Sequence, residues 1–220
     1  MPSAMPPESN RHFYDRISEA YDFLADANEK QARQAGVAAL ELKPGESVLE
    51  LGFGTGHEVV DMAKLVGPKG RVSGIDISSG MLAVAQRRLA GNPPPAKVDL
   101  RVADARQLPF ADAIFDAAYC SFTLELFADA DAPVVLKEVR RTLKKDGRFS
   151  VVSMSRPKSG QHISFLEKSY VWMHRHFPHI VDCHPIDVAG TLTAAGFRVV
   201  KDTGLTIWTM PVAAVVAVPA

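Results

Sequence analysis

The stretch Glu50-Leu51-Gly52-Phe53-Gly54-Thr55-Gly56 decides the fold, because three glycines at alternate positions close a buried apolar run and open a helical pattern. The run before it, Glu46, Ser47, Val48, Leu49, Glu50 and Leu51, follows the turn Lys43-Pro44-Gly45 and reads as a short buried strand. A helix over about 57–66 comes next. Glycines at such a junction permit a tight turn and let a ligand lie against bare backbone, while the helix start presents unpaired N–H groups. A nucleotide-like ligand is expected there.

Outward from the loop, strand and helix alternate. Gly67-Pro68-Lys69-Gly70 closes the helix, a strand runs from Arg71 to Asp76, and a helix over about 79–90 stops at Gly91-Asn92-Pro93-Pro94-Pro95. Strands at 98–103 and 114–121, a helix at about 131–144 and a strand at 148–154 follow. This order predicts a doubly wound α/β domain with a mostly parallel sheet. Helices near 161–176 and 185–195 come next, then two strands near 197–209 and 212–218 split by Pro211, an antiparallel edge pair. On the amino-terminal side, Phe13, Ile17 and Tyr21 make a helical stripe extended by Phe23 and Leu24, and a second helix spans about 29–41.

The chain has 220 residues, 47% of them hydrophobic, which suits one core: a flexible tail over 1–10 and a single domain over 11–220. Lys plus Arg and Asp plus Glu both number 25, so no net field draws the chain to nucleic acid, and a small acceptor molecule is the expected partner. Two cysteines, Cys120 and Cys183, are too few for a disulfide framework and point to the reducing cytoplasm. No stretch reaches the roughly 18 apolar residues of a membrane span, which leaves only transient membrane contact should the acceptor be a lipid. The start MPSAMPPESN lacks a basic end and apolar core, so an unprocessed soluble protein is expected.

The loop also discriminates between ligands. A dinucleotide fingerprint needs its third glycine at position 57, which is His57; the third glycine here is Gly56. Glu50, an acid at the strand end, suits a cationic ligand better than a pyrophosphate. S-adenosylmethionine carries a sulfonium and an ammonium, and S-adenosylhomocysteine is what it leaves after methyl transfer. Asp76 ends the second strand, 20 residues past Gly56, where an acid can accept from both hydroxyls of a ribose; the alternative is that it caps the following helix. Asp104, at the end of the third strand, could accept from the adenine amino group or be a plain loop carboxylate, and Ile77, Met81 and Ala105 could sandwich the ring.

Taken together, Phe13-Tyr14-Asp15-Arg16-Ile17, VLELGFGTG, GIDISSGML, ADARQLPF, FDAAYCSFTLELF and LKEVRRTLKKDGRFSVVSMSRP, in that order, resemble the class I methyltransferases. Within them the resemblance is to the ubiquinone and menaquinone biosynthesis C-methyltransferase branch. It implies a seven-stranded sheet in order 3-2-1-4-5-7-6 with strand 7 antiparallel, and a helical lid over 11–41. It also implies that Gly52, Gly54 and Gly56 face the methionine part of the cofactor, Asp76 the ribose, and Asp104 and Ala105 the adenine. Cys120 or Ser121 would lie beneath the sulfonium. Two segments depart from the quinone enzymes: Tyr14-Asp15-Arg16-Ile17-Ser18 replaces a Tyr-Asp-x-Met-Asn type, and Thr123-Leu124-Glu125-Leu126 an Asn-Val-Thr-Asp type.

Methyl transfer from a sulfonium has a neutral leaving group and needs alignment and desolvation first; a carbon or weakly acidic nucleophile also needs a base. The expected reaction is C- or O-methylation of a quinone-like ring, with N- or S-methylation of a small amine, phospholipid headgroup or thiol as the alternative. A catalytically silent cofactor-binding protein is the non-enzyme reading. Candidate bases and acceptor contacts are Tyr14 and Glu125, with Tyr21 and His57 behind them. Glu125 reads either as a base between apolar neighbours or as an exposed loop glutamate, and His57 either as a base or as a helix-start residue. Five histidines fall in 162–184, but their spacing is not that of a compact zinc site, so no metal is expected. The 155–184 insertion instead contributes to the acceptor site, with Trp172 and Phe177 as walls. The basic run Lys137, Arg140, Arg141, Lys144, Lys145 and Arg148 reads as a solvated face.

Overall fold

The computed structural model of the protein describes residues 29–156, 185–207 and 210–220. The expected tail, the first helix with Tyr14 and Tyr21, the helix near 161–176 and the histidine-rich part of the insertion lie outside the described residues. A helix α1 over 29–39 precedes β1 (Ser47–Leu51), α2 (His57–Val66), β2 (Arg71–Asp76), α3 (Ser79–Gly91) and β3 (Lys97–Val102). Then come β4 (Phe115–Ser121), a 3-10 turn Leu124–Leu126, α4 (Ala132–Thr142), β5 (Leu143–Met154), α5 (Val188–Ala194), β6 (Phe197–Ile207) and β7 (Met210–Pro219).

The sheet runs β3-β2-β1-β4-β5-β7-β6, and β7 is antiparallel to both its neighbours. Because strand side chains alternate between faces, each inner strand feeds two cores. Leu49, Leu51, Ala118, Cys120, Phe149, Val151 and Val215 pack with Val135, Leu136 and Val139 of α4 and Leu192 of α5. Val48, Val72, Ala117, Tyr119, Val152 and Ala214 meet Val37 of α1, Val59, Met62 and Val66 of α2, and Met81 and Ala85 of α3. Each such aliphatic side chain contributes about 1.5–3 kcal/mol when fully buried. The helices thus change faces between β1 and β4, and the crevice outside the carboxyl ends of those strands is where open α/β sheets hold ligands.

Four expectations need correcting. The helix expected to reach 144 stops at Thr142, and β5 begins at once with Leu143 beside Phe115; Lys144 to Gly147 then stand opposite Asp116 in a wide bulge before pairing resumes at Arg148. The helix expected over 185–195 is shorter, because Asp187 caps it by accepting from the Gly190 amide. Pro211 does not split two strands: it lies at the start of β7, where its carbonyl accepts from the Ser155 amide. The basic run is not simply a solvated face. Arg141 donates to Asp112, Glu138 and the carbonyls of Leu108 and Phe110, which fastens the β3–β4 connection to α4. Arg148 donates to Glu46 and to the carbonyls of Leu40 and Glu41, closing the end of α1 onto β5.

The helix α1, the second half of the segment expected as a lid, is bonded into the sheet. Ser150 Oγ donates to the Gly36 carbonyl at 2.9 Å, and Tyr119 OH to the Arg33 carbonyl at 2.9 Å. Gly36 is required by close approach: a Cβ there would stand 2.3 Å from Val152.

Candidate cofactor and acceptor site

The loop after β1 turns on three glycines in the left-handed region, Gly52 at φ 68°, Gly54 at φ 50° and Gly56 at φ 81°, a conformation that costs other residues about 1 kcal/mol or more. Their surroundings assign them different work. A Cβ on Gly52 would lie 2.2 Å from Thr123 Oγ1, and one on Gly56 would lie 2.9 Å from Ala85 Cβ, so these two let the loop pack on β4's end and on α3. At Gly54 a Cβ would meet nothing within 4 Å. It is the glycine at which a ligand can approach bare backbone.

Asp76, at the end of β2, is fixed by two backbone donors: the Gly54 amide to Oδ2 at 2.9 Å and the Ser78 amide to Oδ1 at 2.9 Å. It does not cap α3. Ser78 does, accepting from the Met81 amide at 3.1 Å.

Glu50 is 1% exposed, and its Oε2 has no hydrogen-bond partner among the described residues. Burial pushes its carboxyl well above the usual range, and the like charge of Glu58 adds to this while Arg33 opposes it. Arg33, from α1, is itself engaged: Nε lies 2.9 Å from Glu58 Oε1 and Nη1 lies 3.0 Å from Glu29 Oε2. This arrangement sets Glu50 within the field of Glu58 and of the Arg33 guanidinium, which Glu58 and Glu29 already hold. A cationic group would complete it, and an ammonium fits where a pyrophosphate would be repelled.

The remaining expected residues fall as follows. Asp104 is held by the Arg106 guanidinium at 2.7 Å, which keeps its carboxyl below the usual range, and its Oδ1 accepts from the Arg106 amide. Met81 and Ala105 are buried and Ile77 half-buried around the end of β2. Cys120 is 2% exposed and packs in the α4-side core, and burial raises its thiol far above the ordinary value. Ser121 gives its carbonyl to Thr123 Oγ1 at 2.9 Å. His57 is the first residue of α2, and Arg88 Nη1 lies 2.9 Å from its Nδ1 while Arg88 Nε donates to the Thr55 carbonyl. That bond turns the ring toward α3 and makes Nδ1 an acceptor.

Glu125 is fully buried, which excludes the exposed-loop alternative. Its Oε1 accepts from the Met154 amide at 3.1 Å, its Oε2 has no partner among the described residues, and burial pushes its carboxyl up to about 7. The turn that carries it also borders an apolar cleft of about 240 Å³ between Leu124, Phe127 and Ile186. Among the described residues no group of His, Cys, Asp and Glu is arranged to hold a metal ion, and no helix is long and apolar enough to cross a membrane.

Four residues of this arrangement carry no motif of their own: Arg33, Arg88, Arg106 and Thr123. Only Thr123 had a signal, its place just after a strand that ends at the ligand edge.

A seven-stranded sheet in this order, with a glycine loop at β1 and an acid ending β2, defines a class I methyltransferase, and residues 48–147 match the family model described as "Methyltransferase domain". The chain belongs to the class I S-adenosylmethionine-dependent methyltransferases, in the branch of the menaquinone and ubiquinone C-methyltransferases. It is 36% identical over 154 residues to a demethylmenaquinone methyltransferase of Symbiobacterium thermophilum, an overlap of 68% of this chain and 60% of that protein. To a 2-phytyl-1,4-naphtoquinone methyltransferase of Synechococcus elongatus it is 34% identical over 161 residues, 71% of this chain and 68% of that one. The chain thus spans less than two thirds of the first relative's length. Among solved structures, a SAM dependent methyltransferase from Aquifex aeolicus superposes with TM-score 0.67 at 19% identity, covering 92% of this chain and 98% of that one, a likeness of fold.

Proposed function

We propose that the protein transfers the methyl group of S-adenosylmethionine to a small aromatic acceptor, a quinone-like ring, by C- or O-methylation in the cytoplasm. The observation that carries the donor half is the buried, unpartnered Oε2 of Glu50 behind the glycine loop. Glu50 would take the ammonium, the open backbone at Gly54 the methionine chain, Asp76 the ribose hydroxyls, and Asp104 with Ile77, Met81 and Ala105 the adenine. Gly52 and Gly56 shape the loop around it, and the β4 end at Cys120 and Ser121 forms the floor. When bound, the donor supplies a methyl activated by a sulfonium; this chain aligns it and excludes water.

The acceptor class is supported by the likeness to the demethylmenaquinone and phytylnaphthoquinone enzymes. Tyr14 and the 155–184 insertion are proposed to close over the acceptor. Replacement of the Asn-Val-Thr-Asp type segment by Thr123-Leu124-Glu125-Leu126 favours a second reading, N- or S-methylation of a small amine, headgroup or thiol, because an acid can also hold a cationic amine. Calorimetry with S-adenosylhomocysteine tests the donor site, and mass analysis after incubation with adenosylmethionine and a 2-prenyl-1,4-naphthohydroquinone tests the transfer. A mass gain of one methyl on the ring supports the first reading. Gain on an amine or thiol probe alone replaces it with the second, and tight binding without transfer to any probe marks a silent binding protein.

A further inference from the structure

Among the described residues two buried carboxyls, Glu50 and Glu125, carry an oxygen with no partner, and only Glu50 is accounted for by the donor. Glu125 is not. It sits one turn beyond β4, two residues after Thr123, whose side chain fills the space against Gly52. Thus Glu125 is tied to the rim of the cofactor loop, yet its carboxyl reaches across to the end of β5, where the Met154 amide fixes Oε1.

We propose that Glu125 is the general base of the methyl transfer, receiving on Oε2 the proton that the acceptor gives up. This rests on the methyltransferase reading above. A purely structural glutamate would be expected to satisfy both oxygens when fully buried, since an unpaired buried acceptor costs about 1–3 kcal/mol. Here one oxygen is anchored and the other is left open, the geometry of a base held in place by its own second atom. Besides burial, its own amide, the Met154 amide and the Ser153 hydroxyl act on the carboxyl and favour its charged form, Glu29 of α1 opposes that charge, and Cys120 of β4 feels it in turn. No cation is among them, so burial governs its charge, and a carboxyl that titrates near 7 is matched to proton abstraction at neutral pH.

In the step, the acceptor's oxygen or ring carbon supplies the electron pair of the new bond to the methyl carbon. The pair of the breaking C–S bond stays on sulfur, which becomes a neutral thioether. The pair of the acceptor's O–H or C–H bond stays on the acceptor as the proton passes to the Glu125 carboxylate, and the acid later returns that proton to water.

The test uses the full chain and Glu125→Gln, whose amide oxygen can still accept from the Met154 amide. With adenosylmethionine and the 2-prenyl-1,4-naphthohydroquinone probe, wild-type kcat is expected to rise with pH to a plateau above about 7. The variant should lose about 10²–10⁴-fold in kcat and that inflection, with S-adenosylhomocysteine binding unchanged. A variant that keeps wild-type kcat or the same pH inflection overturns the proposal. An infrared titration reads the carboxyl without turnover: a protonated-carboxyl component should fade across about pH 6–8 in wild type and be missing from Glu125→Gln, whose remaining protonated-carboxyl signal, that of Glu50, should be removed by adding Glu50→Gln. Absence of such a fading component in wild type overturns the proposal. Wild-type protein that shows the component but transfers no methyl to the probe counts against the quinone-like acceptor and not against Glu125.

Discussion

The Gly54 amide and Asp76 Oδ2 are joined by a hydrogen bond of 2.9 Å, which ties the loop after β1 to the acid ending β2. One carboxylate therefore shapes the glycine loop and, in the proposed complex, also receives the ribose. Asp76→Ala removes both roles. Its affinity for adenosylmethionine should fall about 10–100-fold, the loss of one or two charge-assisted hydrogen bonds. Ser78→Ala, which removes the helix cap, should instead lower stability by about 1 kcal/mol and leave affinity nearly unchanged. Calorimetry and urea unfolding on the two variants separate ribose binding from capping.

Glu50 should trade stability for binding. Its carboxyl is raised in the folded protein, so the fold holds a proton that the unfolded chain has already released above the ordinary 4.5. Stability from this group is therefore full below that pH and is lost as pH rises toward the folded value. Glu50→Gln removes the penalty. At pH 8 the variant without ligand should be more stable by about 1–3 kcal/mol, while adenosylmethionine binding weakens by about tenfold or more. Equal stability of the two proteins at pH 8 would contradict the assignment of an uncompensated buried charge.

The glycines offer a second separation. Gly52→Ala places a methyl 2.2 Å from Thr123 Oγ1 in a left-handed backbone and should destabilise by about 2–4 kcal/mol. Adding Thr123→Gly should recover the steric part but not the conformational part, a coupling that a double-mutant cycle measures. Gly54→Ala meets no protein atom, so its stability cost should be only about 1 kcal/mol. Its effect should fall on binding, where the methyl occupies ligand space.

These contrasts also show what the chain discloses by itself. The strand-loop-helix junction at Glu50 to Gly56 and the acid at Asp76 were legible because their meaning lies in local spacing and in strand ends. The sheet order followed from alternation together with the family likeness. By contrast, the distinct roles of Gly52 and Gly56 depend on Thr123 and Ala85, brought there by β4 and α3, and no local pattern announces such contacts. Glu125 reads locally as a loop glutamate between two leucines. Only the meeting of the turn with the end of β5 buries it. Arg33 lies on a helix whose face is set by β5 and Tyr119, so its neighbours Glu29 and Glu58 could be paired with it only in three dimensions.

Arg33 is the residue on which that charge arrangement turns. Its side chain is 9% exposed, and it is the cation that offsets Glu58 and lowers the cost of Glu50. Arg33→Met keeps the volume and removes the charge. Breaking a buried pair from one side costs about 3–5 kcal/mol, because the partner's charge is left unpaired. Here the orphan would be Glu58, whose side chain is 11% exposed. Arg33→Met with Glu58→Gln should regain most of the stability, because both ends of the pair are then neutral. Urea unfolding of the single and double variants checks this, and a double variant no more stable than Arg33→Met would assign Arg33 to packing alone. Adenosylmethionine should stabilise Arg33→Met more than wild type on heating, because its ammonium brings a positive charge to the acids that lost theirs.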